Sequence, residues 1–325
     1  MQYRKIVVDK SDLIEVTNIH GLKMVLSANG AGLVSIHFND EIMTISPKSL
    51  ILYKNHQMFN GKTIAPIFGF VPNGILEING MEFDLNKNYS DESKIHNGEY
   101  SLNNYVFSPK MNFGDKMFTC IFSVKKKKNS DGLPGNIKYF VTYAMSDASN
   151  EIFIDYRAMS DDITPISITN HTCFCLGSSN LETLYLTIPS EEYLDIDKED
   201  MTYQEYKHVD AVMDFQKKKS IGKYLHDSNL VYPSGNGYQH YYLLKKRGLP
   251  IILENAKYRL EVESDYEGAH IYSDNLSSDI EMQNTDKKDH RGVVIAPNIN
   301  PKKLYLLRKG ETYHHQITYR FYKKD

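Results

Sequence analysis

His171 is the strongest candidate for proton-transfer chemistry in this chain. It lies in the run Ile168–Gly177, where four consecutive polar residues, 169 to 172, lead directly into an apolar segment. An imidazole titrates near neutral pH and can act as acid or base. A lone histidine beside a strand is more often structural, but the flanking Asn170 and Thr172 offer hydrogen bonds that would orient the ring.

Two further residues are candidates for the same chemistry. His96 precedes an Asn-Gly pair, and Glu281 stands between Ile280 and Met282 in a strand-like alternation. Residue type alone favours an ordinary loop histidine and a solvent-facing glutamate. The chain has no Gly-rich phosphate loop, no G-x-S-x-G motif and no H-E-x-x-H motif, so nucleotide, serine-hydrolase and zinc-protease chemistry are not indicated.

Composition limits the classes of partner. Of 325 residues, 41% are hydrophobic and 24% are charged, as in an ordinary globular protein. The formal net charge of -3 argues against nucleic acid, because phosphate binding needs a basic excess. The amino-terminal residues contain no apolar signal-peptide core, and no apolar run approaches the ~20 residues that span a bilayer.

The three cysteines, Cys120, Cys173 and Cys175, have no framework spacing. Their odd number predicts reduced thiols and a cytoplasmic location. Cys173 and Cys175 would share one face of a strand, too close for an ordinary disulfide. No second cysteine pair is present to complete a zinc site.

Short strand-like runs recur along the whole chain, and Asn-Gly or Asp-Gly turn signals separate many of them. The clearest runs are residues 22–26, 33–38, 138–143, 152–156, 184–188, 258–262 and 317–322. The content of 24 Tyr and 14 Phe also favours sheet. We therefore predict an all-β chain, a large antiparallel β-sandwich forming a single domain over residues 1–325. The sequence 78–83 predicts a hairpin, and the acidic region 190–215 has room for one turn of helix.

The candidate residues fall within motifs that resemble the aldose 1-epimerase family, which includes galactose mutarotase. The strongest match is the run 137–177, with two strands, Thr164-Pro165 and then a segment similar to the family's N-H-(T/S)-x-F-x-L-G. Weaker matches follow in the family's order, and the resemblance covers nearly the whole chain. These are residues 69–83, 96–98, 213–215, 237–240, 269–275, 280–283 and 307–313.

The resemblance implies a galactose-mutarotase type of β-sandwich and a small-molecule sugar as the partner. It implies that Glu281 is the base, His171 the acid and His96 a second donor at the ring oxygen. It also implies that Asn73, Phe70, Gln239 and Asn170 bind the substrate. Interconversion of anomers needs no metal, nucleotide or covalent intermediate, so no cofactor is expected.

Two positions depart from the family's pattern. Phe70 stands where the family usually has Arg, and Gln239 stands where it usually has Asp. An aromatic ring can stack on a sugar face, and an amide can still donate to or accept from a hydroxyl. These changes leave two alternatives open. One is a sugar-binding protein with little or no catalysis; the other is a glycosidase or polysaccharide lyase on the same fold, although a glycosidase normally needs two carboxylates. The chain is expected to be a monomer or homodimer.

Overall fold

The structure is a computed structural model. It describes residues 1–9, 11–54, 59–78, 80–85, 93–96, 100–130, 132–199, 201–232 and 235–325.

The described residues are mainly strands, and their bounds follow in chain order: β1 Gln2–Val8, β2 Ser11–Thr17, β3 Leu22–Ser27, β4 Gly32–Phe38, β5 Glu41–Ile42, β6 Thr63–Ile64, β7 Phe70–Pro72, β8 Ile75–Ile78, β9 Met81–Asp84, β10 Ser93–Ile95, β11 Ser108–Phe113, β12 Met117–Lys126, β13 Ile137–Ser146, β14 Glu151–Ser160, β15 Thr164–Ile166, β16 Thr169–Asn170, β17 Cys173–Phe174, β18 Tyr185–Thr187, β19 Glu192–Ile196, β20 Tyr203–His208, β21 Lys219–Ser220, β22 Gln239–Leu243, β23 Ile251–Glu254, β24 Tyr258–Ser264, β25 Gly268–Tyr272, β26 Val293–Asn298, β27 Tyr305–Leu307 and β28 Tyr313–Lys323. One short α-helix, Leu50–Tyr53, and 3-10 turns at Leu102–Asn104, Leu181–Thr183, Gly222–Tyr224 and Ser228–Leu230 complete the set.

Three antiparallel sheets form the body of the fold. The first is the meander β1-β2-β3-β4-β5, and the second is the nine-stranded sheet β11-β12-β13-β14-β28-β24-β23-β18-β21. The third is the six-stranded sheet β17-β26-β25-β22-β19-β20. Short two-stranded pairs, including β10-β7 and β16-β6, connect to these sheets.

The sequence pattern of each strand matches its surroundings. β13 and β24 alternate buried and more exposed side chains, as expected when one face meets the core and the other meets solvent. β26, Val293–Asn298, is buried along its whole length, which fits its place between two neighbours in the six-stranded sheet. The inward side chains of the three sheets join in one large apolar cluster, as in a β-sandwich.

Most expectations about the fold are confirmed. Six of the seven predicted runs lie wholly in strands, and the run 184–188 contains β18, Tyr185–Thr187. The fold is all-β and antiparallel. β8 and β9 pair as the predicted hairpin, although Asn79 at its tip lies outside the described residues. The acidic region 190–215 forms β19 and β20, which pair antiparallel. It also holds one helical turn, where the Asp214 N–H donates to the Asp210 carbonyl at 2.7 Å.

The three cysteines are buried and free. Within the described part of the chain, no helix combines the length and apolar character needed to cross a membrane.

Candidate active site

An open cavity lies beside the six-stranded sheet. Its apolar lining consists of Phe59, Phe68, Phe70, Ile95, Ile271 and Leu276. Its polar lining side chains are His96, His171, His270, Tyr203, Tyr272 and Gln239. The described lining contains no Asp, Glu, Lys or Arg.

Strand register explains why several of these side chains meet. His270 and Tyr272 are two residues apart on β25, so they point to the same face. Gln239 on β22 pairs directly with Tyr272, which places its side chain on that face too. Tyr203, the first residue of β20, joins them from the other end of the same sheet.

The main chain holds His171 firmly. Its backbone N–H donates to the Lys62 carbonyl at 2.9 Å, and its own carbonyl accepts from the Gly61 N–H at 2.9 Å. The ring lines the cavity, while its Nδ1 is buried and has no hydrogen-bond partner among the described residues. The position of the residue therefore does not depend on its side chain.

His96 is the second imidazole on the cavity wall, and its protonation pattern is fixed by a backbone group. It directly follows β10 in a left-handed conformation with φ 50°. The Gly69 N–H donates to His96 Nδ1 at 3.1 Å. A backbone N–H can only donate, so Nδ1 is the acceptor and the neutral ring carries its proton on Nε2.

Aromatic rings surround the imidazoles. The Phe68 ring lies 4.7 Å from the His96 ring, 6.2 Å from the His171 ring and 5.0 Å from the His270 ring, between centroids. Phe59 contacts the first two as well, at 4.8 and 5.8 Å. This packing shields the imidazoles from water.

The shielding makes the histidines weak bases. Burial lowers the pKa of His171 to about 4 and that of His270 to about 4. Burial, followed by repulsion from His171 and His270, lowers the pKa of His96 well below its ordinary value. All three rings are therefore neutral at pH 7, and His171 does not provide the protonated acid that the sequence suggested.

The structure does not bring Glu281 to the cavity, so its assignment as base is corrected. Its side chain is 75% exposed, and its carboxylate forms an ion pair with the Lys48 ammonium at 3.5 Å. The neighbouring Met282 forms an isolated bridge with Pro47, and Glu281 is absent from the described lining. The alternation Ile280–Met282 indicated a strand but left open which side the carboxylate would face.

Asn170 and Asn73 are also outside the described lining. Asn170 is completely buried; its amide donates to the Gly61 carbonyl at 2.9 Å and to the Tyr143 hydroxyl at 3.2 Å, and its oxygen accepts from Thr172. It stabilises the segment that carries His171. Asn73 is exposed in a turn with φ 54°. Neither residue is placed to bind a ligand in the cavity.

Phe70 and Gln239 do line the cavity, together with His96 and His171. The Asn97 and Gly98 of the predicted His-Asn-Gly motif lie outside the described residues. No group of three or more His, Cys, Asp or Glu able to hold a metal ion occurs in the described ranges.

Sequence reasoning missed Tyr203, His270 and Tyr272. The signal was present for two of them, because the alternation Ala269-His270-Ile271-Tyr272 places two polar aromatic rings on one face of a strand. Tyr203 belongs to a strand distant in sequence, and its position depends on the strand order of the sheet.

Comparisons with known proteins agree with the fold and the motifs. A sequence model of the family described as aldose 1-epimerase matches residues 12–320. Human galactose mutarotase is 26% identical over 290 residues, covering 83% of this chain and 80% of that protein. Aldose 1-epimerase of Haemophilus influenzae is 24% identical over 303 residues, covering 89% and 86%.

Solved structures extend this likeness to the fold. The crystal structure of galactose 1-epimerase from Lactobacillus acidophilus superposes with a TM-score of 0.89, at 23% identity, over 100% of both chains. A GalM/aldose epimerase homologue from C. elegans gives 0.85 at 21% identity, covering 97% of this chain and 100% of that one. With the family match extending over nearly the whole sequence, the chain belongs to the aldose 1-epimerase family.

Proposed function

We propose that this protein interconverts the α and β anomers of a neutral aldose. Relatives named galactose mutarotase and aldose 1-epimerase support this reaction class. The observation that carries the proposal is the pair His96 and His171, which line one open cavity with their ring centroids 5.5 Å apart. Two neutral imidazoles in contact can accept and donate protons at neighbouring oxygens.

Ring opening moves one proton from the C1 hydroxyl to the ring oxygen, and ring closure moves one proton back. The C1 hydroxyl loses its proton, the bond between C1 and the ring oxygen breaks, and the ring oxygen gains a proton, giving the open-chain aldehyde. Rotation about the C1–C2 bond and the reverse reaction then give the other anomer. Both oxygens are bonded to C1, so one imidazole nitrogen can reach them in turn.

We assign this proton transfer to His171. Its neutral ring takes the proton from the C1 hydroxyl and returns it to the ring oxygen. The Nε2–H of His96 donates a hydrogen bond to the ring oxygen while that oxygen carries negative charge. This scheme needs no carboxylate, in keeping with a described lining that has none. A positioned proton-transfer group of this kind contributes ~10²–10⁴-fold in rate.

The sugar-binding role falls to Phe70 and Gln239. The half-buried Phe70 ring offers a flat apolar surface for the C–H face of a pyranose. The Gln239 amide donates to the Met201 sulfur at 3.9 Å, and an amide has a second N–H and an oxygen that can bond hydroxyls. This combination favours an uncharged sugar over a sugar acid or phosphate.

We further propose that residues 1–325 act as one domain, as a monomer or homodimer in the cytoplasm. Three free, buried thiols are in keeping with a reducing compartment. The net charge of -3 gives no electrostatic reason to expect a nucleic-acid partner. Light scattering coupled to size exclusion would determine the number of subunits.

Polarimetry of freshly dissolved α-anomers tests the function. Solutions of α-D-galactose and α-D-glucose are followed to equilibrium with and without the protein, at several protein concentrations. A first-order rate that rises in proportion to protein concentration is expected for at least one aldose. Rates equal to those in buffer for a panel of neutral aldoses would refute the proposal.

A further inference from the structure

His270 is the third imidazole of the cavity, and both its ring nitrogens are already engaged. His270 Nδ1 lies 3.0 Å from Asn298 Oδ1. The other end of that amide, Asn298 Nδ2, donates to the Ile299 carbonyl at 3.0 Å, which fixes which end of the amide faces the ring. An amide oxygen can only accept, so His270 Nδ1 carries the proton and Nε2 has the free lone pair.

The Tyr203 hydroxyl forms a hydrogen bond with that lone pair. Its hydroxyl lies 3.0 Å from His270 Nε2, and with Nε2 unprotonated the phenol must be the donor. Burial raises the pKa of Tyr203, and a hydrogen bond with the Phe70 backbone opposes this. A hydrogen bond that lowers the pKa of a phenol is donated to its oxygen, so the Phe70 N–H is the donor.

The result is a chain of hydrogen bonds that all run in one direction. It begins at the Phe70 N–H, passes through the Tyr203 hydroxyl and the His270 ring, and continues to the Asn298 amide and the Ile299 carbonyl. We call these five groups the Tyr203–His270 chain. His270 and Asn298 are almost completely buried, so removing one member leaves its neighbours without water to replace it.

The Tyr203–His270 chain also contacts the segment that carries His96. A Cβ at Gly69 would lie 2.3 Å from the Tyr203 hydroxyl oxygen, and Gly69 has φ 95°. The phenol therefore packs directly on the Gly69 backbone. The N–H of Gly69 is the group that donates to His96 Nδ1, and the Gly69 carbonyl accepts from the His96 N–H at 3.0 Å.

We propose that Tyr203 and His270 are positioning residues that fix the Gly69–Phe70 segment, and through it the Nε2–H of His96 and the ring of Phe70. What His96 does with that N–H rests on the proposed function. His270 itself exchanges no proton with the sugar, because neither nitrogen is free. His270 is therefore not a third acid or base in the reaction, although it is a histidine on the cavity wall.

The first test is nitrogen-15 NMR of imidazole-labelled wild-type protein at pH 7, which needs no substrate. His270 is expected to show a protonated Nδ1 and a bare Nε2, and His96 the opposite pattern. A protonated Nε2 on His270, or a bare Nε2 on His96, would overturn the proposal.

The second test compares three variants at the site with one control. Tyr203→Phe and His270→Phe remove the chain, whereas His270→Gln keeps an acceptor for Tyr203 and a donor for Asn298. We expect kcat to fall on the order of tenfold to a hundredfold in the first two, since misplacement of reacting groups has effects of this size. His270→Gln should stay within about threefold of wild type, the rescue expected if hydrogen-bond pattern alone matters.

Tyr232→Phe is the matched control. It removes a second buried Tyr–His hydrogen bond, which joins the Tyr232 hydroxyl and His240 Nε2 at 2.7 Å. The Gln239 N–H donates to His240 Nδ1, so Nε2–H is the donor in that bond. Tyr232 is not in the described lining. If Tyr232→Phe lowers kcat as much as Tyr203→Phe at equal loss of thermal stability, the effect is general destabilisation and the proposal is wrong. The NMR result could match the predicted ring protonation while the wild-type protein shows no mutarotase activity. That outcome would refute the proposed function but would still support the Tyr203–His270 chain of hydrogen bonds.

Discussion

The rings of His96 and His171 meet edge to face, with centroids 5.5 Å apart and planes at 72°. His96 is buried and His171 is half-buried on the cavity wall. Both rings are neutral at pH 7, and protonating one would place a charge against the other in an apolar setting. Only one of them can carry an extra proton at a time. This supports a division of roles, in which His171 exchanges protons and His96 donates a hydrogen bond.

Replacing His171 by Asn should lower the protein-dependent mutarotation rate by ~10²–10⁴-fold. The folded structure should persist, because two main-chain hydrogen bonds hold the residue. Polarimetry gives the rate and circular dichroism checks the fold. His208→Asn, at an exposed histidine on β20, is the control and should keep full activity. A fully active His171→Asn protein would exclude the assigned role.

Glu281→Gln should change kcat by less than about twofold. The side chain is 75% exposed and contacts Lys48, and exposed ion pairs contribute only ~0–1 kcal/mol to stability. The same polarimetric assay measures the effect. A loss of a hundredfold would show that Glu281 reaches the substrate during turnover, and the mechanism would then need a carboxylate base.

The pH dependence of the rate should lack the usual histidine inflection. Burial lowers the pKa of His171 to about 4, so the ring stays unprotonated and able to accept a proton from pH 8 down to about 5. The protein-dependent rate, after subtraction of the buffer rate, should be flat over that range and fall as the pH approaches 4. A loss of half the rate near pH 6.5 would mean that the ring titrates normally and is not shielded.

Stability should decrease below pH 6.5. Burial is the main cause that lowers the pKa of His171, His270 and His37 to about 4, and that of His240 to about 3. Between these values and about 6.5, the unfolded chain binds protons that the folded protein does not, so acidification favours unfolding. His171, His240 and His270 each cost up to about 1.4 kcal/mol per pH unit, and the more exposed His37 costs less because water screens its charge.

Urea unfolding at a series of pH values between 7 and 5 measures this effect. His171→Asn provides the comparison. It should reduce the slope of the unfolding free energy against pH by the amount that corresponds to about one bound proton. An unchanged slope would show that the ring is protonated equally in both states.

Gly69→Ala should impair both the rate and the fold near the cavity. The new Cβ would lie 2.3 Å from the Tyr203 hydroxyl oxygen, at φ 95°. Gly248→Ala is the matched control. Gly248 has φ 79°, and a Cβ added there would meet no atom of the described residues within 4 Å, apart from its chain neighbours. Both variants carry backbone strain of about 1–2 kcal/mol, but only Gly69→Ala should lower kcat. Equal kcat in the two variants would contradict a role for the Tyr203 contact.

The sequence predicted the strands well because their patterns are local. Alternation in β13 and β24 follows directly from one buried face, and the all-β class followed from many such runs. The motif around His171 identified the residue that the structure places on the cavity wall. The acidic region 190–215 holds the one helical turn that its composition allowed, at residues 210–214. Composition did not indicate the pairing of β19 with β20, which depends on contacts between segments.

The rest of the site depends on contacts between distant segments. Asn170 and His171 are adjacent, yet one side chain points into the core and the other lines the cavity. Glu281 matched a motif, but a short motif does not determine which way its side chain points. Tyr203 and His270 are 67 residues apart and meet only because of the strand order of the six-stranded sheet.

The main-chain support of His171 has a consequence for the evolution and engineering of this protein. Since Gly61 and Lys62 bind the backbone of residue 171, the chemistry at that position can be exchanged without rebuilding the surrounding segment. A thiol or an amine introduced there would start from the same backbone position at the edge of an apolar cavity. Position 171 is therefore a suitable site for designing reactions that a histidine does not perform.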